Sequence, residues 1–310
     1  MYASLVLRTA VFRFQVYKMA GLIVLIGTVF APMAFAAAPR PSVANDCDRL
    51  AGSRHDGERN RSFDPVDARD IDVDSAIAAC SAALHRTDDP RLAFQLARAE
   101  DRAGNVTDAV ALYSQAAEAG YAIALVHLGV LAGRMGNSEQ EFLHYKHAAE
   151  RGNSLGAYNL GVAYRDGNGT PVNGNLAIRW FTRASLQGYD LAAYNLGVIY
   201  DEGKIVPEDN GKAIDWYNIA AARGNVDAMI NLGLMLEGGE GTPKNIAAAA
   251  VMYRAAALKG DAFGAEKYDE LRRALVRRSP AEEPQTSIVQ GLELRRDDIG
   301  TAPPVQRKAI

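Results

Sequence analysis

Cysteine is nearly missing from this sequence: Cys47 and Cys80 are the only two in 310 residues. Neither has a second Cys or a His at ligand spacing, which excludes a cysteine-based zinc site. Charge of one sign is lacking too. With 34 basic and 37 acidic side chains the formal net charge is −3, so nothing draws the chain as a whole to nucleic acid or an anionic membrane. There is no long apolar run; the best, Met19 to Phe30, is short for a membrane span and contains glycines. Phosphate-cradling Walker loops and helical His-Glu-x-x-His zinc motifs do not occur. Apolar residues are plentiful, 48% against 23% charged, enough for a core in two globular domains or in one elongated array.

The beginning of the chain has its own pattern. Arg8, Arg13 and Lys18 precede the apolar run, which ends at Pro32 and the small-residue string Ala34-Phe-Ala36-Ala. A positive flank, a short apolar stretch and an Ala-x-Ala site predict a secretory signal peptide over 1–36, cut after Ala36. Either Met1 or Met19 serves as the initiator, and an uncleaved inner-membrane anchor is the alternative. Export to the periplasm would place the two cysteines in an oxidising compartment, where one Cys47–Cys80 disulfide is expected.

Internal periodicity decides the fold. Leu-Gly pairs fall at Leu128-Gly129, Leu160-Gly161, Leu196-Gly197 and Leu232-Gly233, with Leu96-Ala97 as a degenerate fifth. Gly120, Gly152, Gly188, Gly224 and Gly260 keep the same beat, and so do Tyr113, Tyr145, Phe181, Tyr217 and Tyr253. Within a unit, Leu160, Gly161 and Tyr164 share one face of a first helix, and Ala177, Trp180, Phe181 and Ala184 share one face of a second. Asn173, Asp209 and Asn245 stand where each second helix should begin, suited to accept its orphan amide hydrogens. A glycine inside a helix costs up to about 1 kcal/mol against alanine, so the Leu-Gly glycines imply close approach of the partner helix. One such pair cannot bury its apolar stripes alone, and stacked pairs bury them jointly. The reading is an all-α, right-handed solenoid of five helix pairs over 91–262.

These residues resemble a known pattern. Ala192, Leu196, Gly197, Tyr200, Gly203, Ala213, Trp216, Tyr217, Ala220, Ala221 and Gly224 are similar to the Sel1-like repeat family, except that Ile205 replaces the second glycine of the turn. The two earliest, shorter units resemble the related tetratricopeptide repeat, as Gly104-Asn-Val-Thr-Asp108-Ala-Val-Ala-Leu-Tyr113 illustrates. The resemblance implies a scaffold that assembles envelope complexes or modulates signalling. A β-lactam-related or cell-wall hydrolase activity is the alternative, although the Sel1-like proteins discussed in that light carry a disulfide per repeat, which this sequence lacks.

Around the array, 37–70 reads as a polar segment with a short helix near Cys47, and 71–90 as an N-terminal capping helix. Residues 263–278 read as a C-terminal cap and 279–310 as a disordered tail. The one basic cluster, Arg272, Arg273, Arg277 and Arg278, reads as a solvated helix end.

Candidate chemistry is sparse. His144, His147 and Glu150 have metal-like spacing, yet His144 fills the slot of Trp180 and Trp216, so polar repeat positions account for them and no metal or cofactor is expected. The more suggestive series precedes each Leu-Gly pair: Asn159, Asn195 and Asn231, with His127 and Gln95 in the earlier units. A row of side-chain amides can hold an extended peptide by its backbone. Tyr158 and Tyr194 add flat apolar contact. By resemblance to tetratricopeptide domains, this slot faces the concave groove. A stacking role inside the solenoid is the competing reading. No lysine or arginine pair is evident at adjacent groove positions, so a carboxylate clamp is not expected. The expected function is a non-catalytic periplasmic scaffold for a protein or peptide partner.

Overall fold

The computed structural model describes residues 14–19, 22–27 and 43–277. The chain divides into two compact units, Met1–Ser42 and Val43–Ile310. The first holds two antiparallel strands, β1 (Phe14–Met19) and β2 (Leu22–Gly27), with Phe14 opposite Gly27. The cleavage point expected after Ala36 and the tail 279–310 lie outside the described residues.

Among its described residues the second unit has helices, turns and loops and no strand. It opens with α1 (Val43–Ala51), a short 3-10 turn at Ala68–Asp70 and α2 (Val73–Thr87). Five antiparallel pairs follow: α3 (Pro90–Ala103) with α4 (Val106–Glu118), α5 (Ala122–Arg134) with α6 (Ser138–Glu150), and α7 (Ser154–Asp166) with α8 (Gly174–Leu186). The last two are α9 (Asp190–Glu202) with α10 (Asn210–Ala222) and α11 (Val226–Gly238) with α12 (Ile246–Leu258). A final helix, α13 (Ala262–Arg277), packs on α12. Each helix packs on its neighbours in sequence, the arrangement of a solenoid. Among the described residues no helix is long and apolar enough to cross a membrane.

Local chemistry fixes these elements. Asn137, Asn173, Asp209 and Asn245 each accept the amide hydrogen three residues on and so start the second helices α6, α8, α10 and α12. Gly188, at φ +87°, ends one repeat in the left-handed region that other residues avoid, and every repeat has its counterpart. Inside each of the last four pairs, the aromatic ring of the second helix lies against the Leu-Gly glycine of the first. A methyl group on Gly161 would sit 2.8 Å from Phe181 Cδ1, and one on Gly233 2.7 Å from Tyr253 Cε1. The glycine therefore clears space for a ring, and burial of that ring and its neighbouring leucine offsets the lost helix propensity at about 1.5–3 kcal/mol per large side chain. Leu160, Phe181 and Leu196 are fully buried in one core cluster and Tyr217 in the next along the array.

The upstream end is closed by α1 and α2. Cys47 and Cys80 form a disulfide between them, and both are buried with Ala51, Ala76, Leu92 and Leu96. At the other end, Tyr253 meets Phe263 of α13 edge-on at 6.3 Å.

Candidate functional site

The first helices α3, α5, α7, α9 and α11 repeat the same surface slots, because residues three and four apart share a helix face. The slot of Gln95, His127, Asn159, Asn195 and Asn231 is the one singled out from sequence, and its members are not equivalent. Gln95 is fully buried and donates from Nε2 to Asp48 Oδ1 at 2.9 Å. His127 lies between Tyr113, stacked at 5.1 Å, and Phe94, edge-on at 5.1 Å. Burial, followed by the charges of Arg98, His55 and Arg134, pushes its imidazole down to about 3, so it is neutral at ordinary pH. Asn195 is 8% exposed, donates to the Leu191 carbonyl at 2.9 Å and accepts from Arg165. Asn231 donates to the Tyr217 hydroxyl at 3.1 Å. Asn159, half-buried, makes no hydrogen bond to another described residue. The row is thus not a uniform ladder of free amides: its buried members are committed to the interior, and Asn159 is the open one. Tyr158 packs on Tyr189 at 4.7 Å and on Phe181 at 5.6 Å, and Tyr194 lies 6.0 Å from Tyr217.

Three residues further along each first helix is a slot that sequence reading passed over. It holds Arg98 in the first repeat and Val130, Val162, Val198 and Leu234 in the others. Arg98 is buried and donates to two peptide carbonyls of the upstream segment, those of Ala51 and Val66, the second at 2.8 Å. Arg102 reaches the Arg69 carbonyl at 3.4 Å, and Arg91 pairs with the buried Asp48. Across from α3, Tyr121 donates its hydroxyl to Asp56, which burial holds above the usual carboxylate range, and His55 lies 6.3 Å from the Tyr189 ring. The first repeat therefore carries a length of its own chain on its first-helix face, gripped by backbone carbonyls. In the later repeats the same slot is apolar, with Val130 41% and Leu234 43% exposed.

Two cavities open on this side of the array. The larger, about 640 Å³, lies between the upstream loop at His55 and Glu58 and the starts of α5, α7 and α9, with Ile123, Leu155, Tyr189 and Leu191 in its wall. Ser154 also lines it, within Gly152-Asn-Ser154-Leu-Gly156. Those letters have the spacing of a nucleophile elbow, but they join helix α6 to helix α7, whereas the elbow needs a strand-to-helix turn that thrusts the serine out. The smaller, about 160 Å³, is lined by Ala68, Arg98, Asp101, Arg102, Tyr113, His127 and Arg134. Three arginines thus meet where the sequence showed no cationic pair; the signal was there in Arg102 and Arg134, both seven residues beyond their slot residues Gln95 and His127.

The histidines of α6 do not converge. His147 is exposed, whereas His144 is half-buried and its protonation is disfavoured by burial and then by the neighbouring charge of His147. Glu150 pairs with Lys146 at 3.8 Å. Among the described residues no group of three or more His, Cys, Asp or Glu side chains could hold a metal ion. In the basic cluster of α13, Arg272 pairs with Asp269 at 3.5 Å.

No curated protein matches this chain. Solved structures do. A protective antigen present in uropathogenic Escherichia coli strains, displaying an SLR fold, is 32% identical with a TM-score of 0.55 over 61% of this chain. The chain spans only 42% of that antigen's length. A Sel1 repeat protein from Oxalobacter formigenes is 22% identical with a TM-score of 0.53, over 61% of this chain and 81% of its own, and shares the fold. The Sel1 repeat family model matches residues 102–121, 154–189, 190–225 and 226–261. It passes over the unit formed by α5 and α6, whose inter-helix turn is shorter than those of the three later units. Four segments of this chain match the Sel1 repeat, and its helix pairs stack as an all-α solenoid.

Proposed function

We propose that the first-helix face of the second to fifth repeats is a groove that binds an extended polypeptide, and that the protein is a non-catalytic adaptor working in an exported, periplasmic setting. Sel1 repeats generally act as protein-interaction scaffolds. The observation that carries the reading is the grip of Arg98 on the Ala51 and Val66 carbonyls, an instance within this chain of a first-helix slot holding a strand of backbone. Val130 and Leu234 extend that slot as exposed apolar contacts, and Asn159 supplies a free amide between them. Apolar anchors with a few backbone hydrogen bonds are the usual means of peptide recognition. The Cys47–Cys80 disulfide, buried in the cap, supports an oxidising compartment.

The test is to pan a random-peptide library against the full chain and measure the recovered peptides on variants. Val130→Glu with Leu234→Glu, both at exposed positions, should weaken binding at least tenfold with melting unchanged, and Asn159→Ala should weaken it severalfold. Leu186→Glu, at an exposed site on a second helix, should leave binding intact. Peptides that bind the Val130→Glu, Leu234→Glu protein as well as they bind the parent would sink the groove.

A further inference from the structure

We propose that the upstream loop, residues 53–59, is a lid over the groove, and that the bound polypeptide lies beneath it with one large apolar side chain seated in the cavity below. The inference rests on the groove reading and adds how the ligand is held and what kind of residue it must offer.

The loop has a fixed base and a lightly held tip. At the base, Arg98 donates to the Ala51 and Val66 carbonyls, and the Val66 amide donates to the Gly52 carbonyl at 2.8 Å. Asn60 donates to Asp48 at 3.0 Å, and Arg59 to the Phe63 carbonyl at 2.7 Å. The tip, 54–58, makes one hydrogen bond to the repeats among the described residues, from the Tyr121 hydroxyl to Asp56. Its other bonds form turns within the loop: the Glu58 amide to Asp56 Oδ1 at 2.9 Å, and the His55 amide to the Ser53 hydroxyl at 3.3 Å. Arg54, His55, Gly57 and Glu58 are exposed, so Asp56, buried at 3% exposure, is the latch. No atom stands within 4 Å of where a side chain on Gly57 would begin, which leaves the tip room to move. A segment held by so few contacts opens more readily than the body on which it rests, the usual condition of a lid.

The space beneath the tip selects its occupant. Loop and helix starts enclose about 640 Å³, within the range of ligand cavities. The charged groups of the wall are already engaged. Arg54 pairs with Asp67 at 3.1 Å, Arg151 donates to the Ala117 carbonyl at 2.7 Å, and Asp190 lies 3.9 Å from Arg223. Glu58 stands on the exposed tip. What remains open is apolar: Ile123 at the start of α5, Leu155 at the start of α7, and Tyr189 and Leu191 at the start of α9, with Leu191 44% exposed. Tyr189, backed by Tyr158 at 4.7 Å, lies 6.3 Å from the His55 ring of the tip. A large apolar side chain entering here covers these groups without stranding a charge, as an anchor residue does. Because α5, α7 and α9 are the helices whose faces form the groove, a polypeptide lying along them passes under the tip.

The test uses the full chain and a fluorescein-labelled peptide recovered by panning. Hydrogen–deuterium exchange of residues 54–58 is measured with the groove empty and with it saturated, and should slow at least about tenfold on binding. An alanine scan of the peptide should single out one large apolar residue. Leu191→Glu should weaken the parent peptide about tenfold, and the peptide carrying alanine at that residue less than about twofold. Tyr121→Phe with Asp56→Ala removes both partners of the latch and leaves neither unpaired; it should speed peptide dissociation about tenfold. Exchange and the Leu191 cycle read the folded protein whatever that double variant does. Unchanged exchange at 54–58, equal weakening of both peptides by Leu191→Glu, or unchanged dissociation from a folded latch variant overturns the inference and leaves the groove standing. The groove itself is read separately by Val130→Glu, Leu234→Glu, and peptides insensitive to those two substitutions sink groove and lid together.

Discussion

Ile205 and Gly174 exchange the roles that their counterparts play in the neighbouring repeats. In the third and fifth repeats the inter-helix turn presents a glycine to the first residue of the preceding second helix: Gly169 to Ser138, and Gly241 to Asn210. In the fourth repeat the turn presents Ile205, and the preceding helix α8 begins with Gly174, where a methyl group would run into the Ile205 carbonyl. The close approach of turn to helix is kept and the missing side chain changes partner. Ile205 gains from the exchange, since its side chain packs against the main core cluster.

Gly174→Ala is therefore expected to destabilise the protein by about 1–3 kcal/mol, the usual cost of forcing a carbon into a filled space. Gly211 is the control. It lies in the first turn of α10, where a methyl group would meet only Asp209 Oδ1 at an ordinary 3.5 Å, so Gly211→Ala should stabilise by about 0.4–1 kcal/mol through the unfolded chain. Urea unfolding of the two variants gives opposite signs on this account. Equal effects would mean that the turn does not rest on α8.

The disulfide closes a separation of 33 residues. Replacing Cys47 and Cys80 by alanine should lower stability by about 3–4 kcal/mol in the chain-entropy treatment. A loss below about 1 kcal/mol would mean that packing alone fixes the cap. Thiol titration of the unfolded, unreduced parent should find no free cysteine.

His127 ties stability to pH. Its folded imidazole titrates at about 3 and its ordinary value is 6.5, so between these limits the unfolded chain binds a proton that the folded one refuses. Stability from this group is intact above 6.5 and falls as pH drops toward 3, by about 1.4 kcal/mol per unit. Between pH 7 and 5, His127→Gln should lose about 2 kcal/mol less than the parent does. Parallel curves for the two proteins would show that His127 is open to water.

The repeat architecture was legible because each of its devices is local. Leu-Gly, the terminal glycine and the capping Asn or Asp announce a close contact, a stop and a start within a few residues, and the structure joins Gly161 to Phe181 and Asn173 to the Leu176 amide accordingly. The site was less legible because its decisive contacts span the chain. Arg98 and Val66 are 32 residues apart, and Tyr121 and Asp56 are 65 apart. Nothing periodic marks residues 51–66, so their place along α3 follows only from the folded chain. The same distance concealed why Asn195 is unavailable: its partner Arg165 comes from the previous first helix, 30 residues back.

The most direct measurement of the central claim is site-specific photocrosslinking of the full chain in its native cells. Crosslinking residues would stand at Val130 and Leu234 on the first-helix face, and at Leu186 and Leu258, both about three-quarters exposed at the ends of second helices. The account predicts that Val130 and Leu234 capture the same polypeptide, at one defined segment of it, and that Leu186 and Leu258 capture none of it. Capture of that polypeptide from Leu186 or Leu258 with none from Val130 and Leu234 would contradict it.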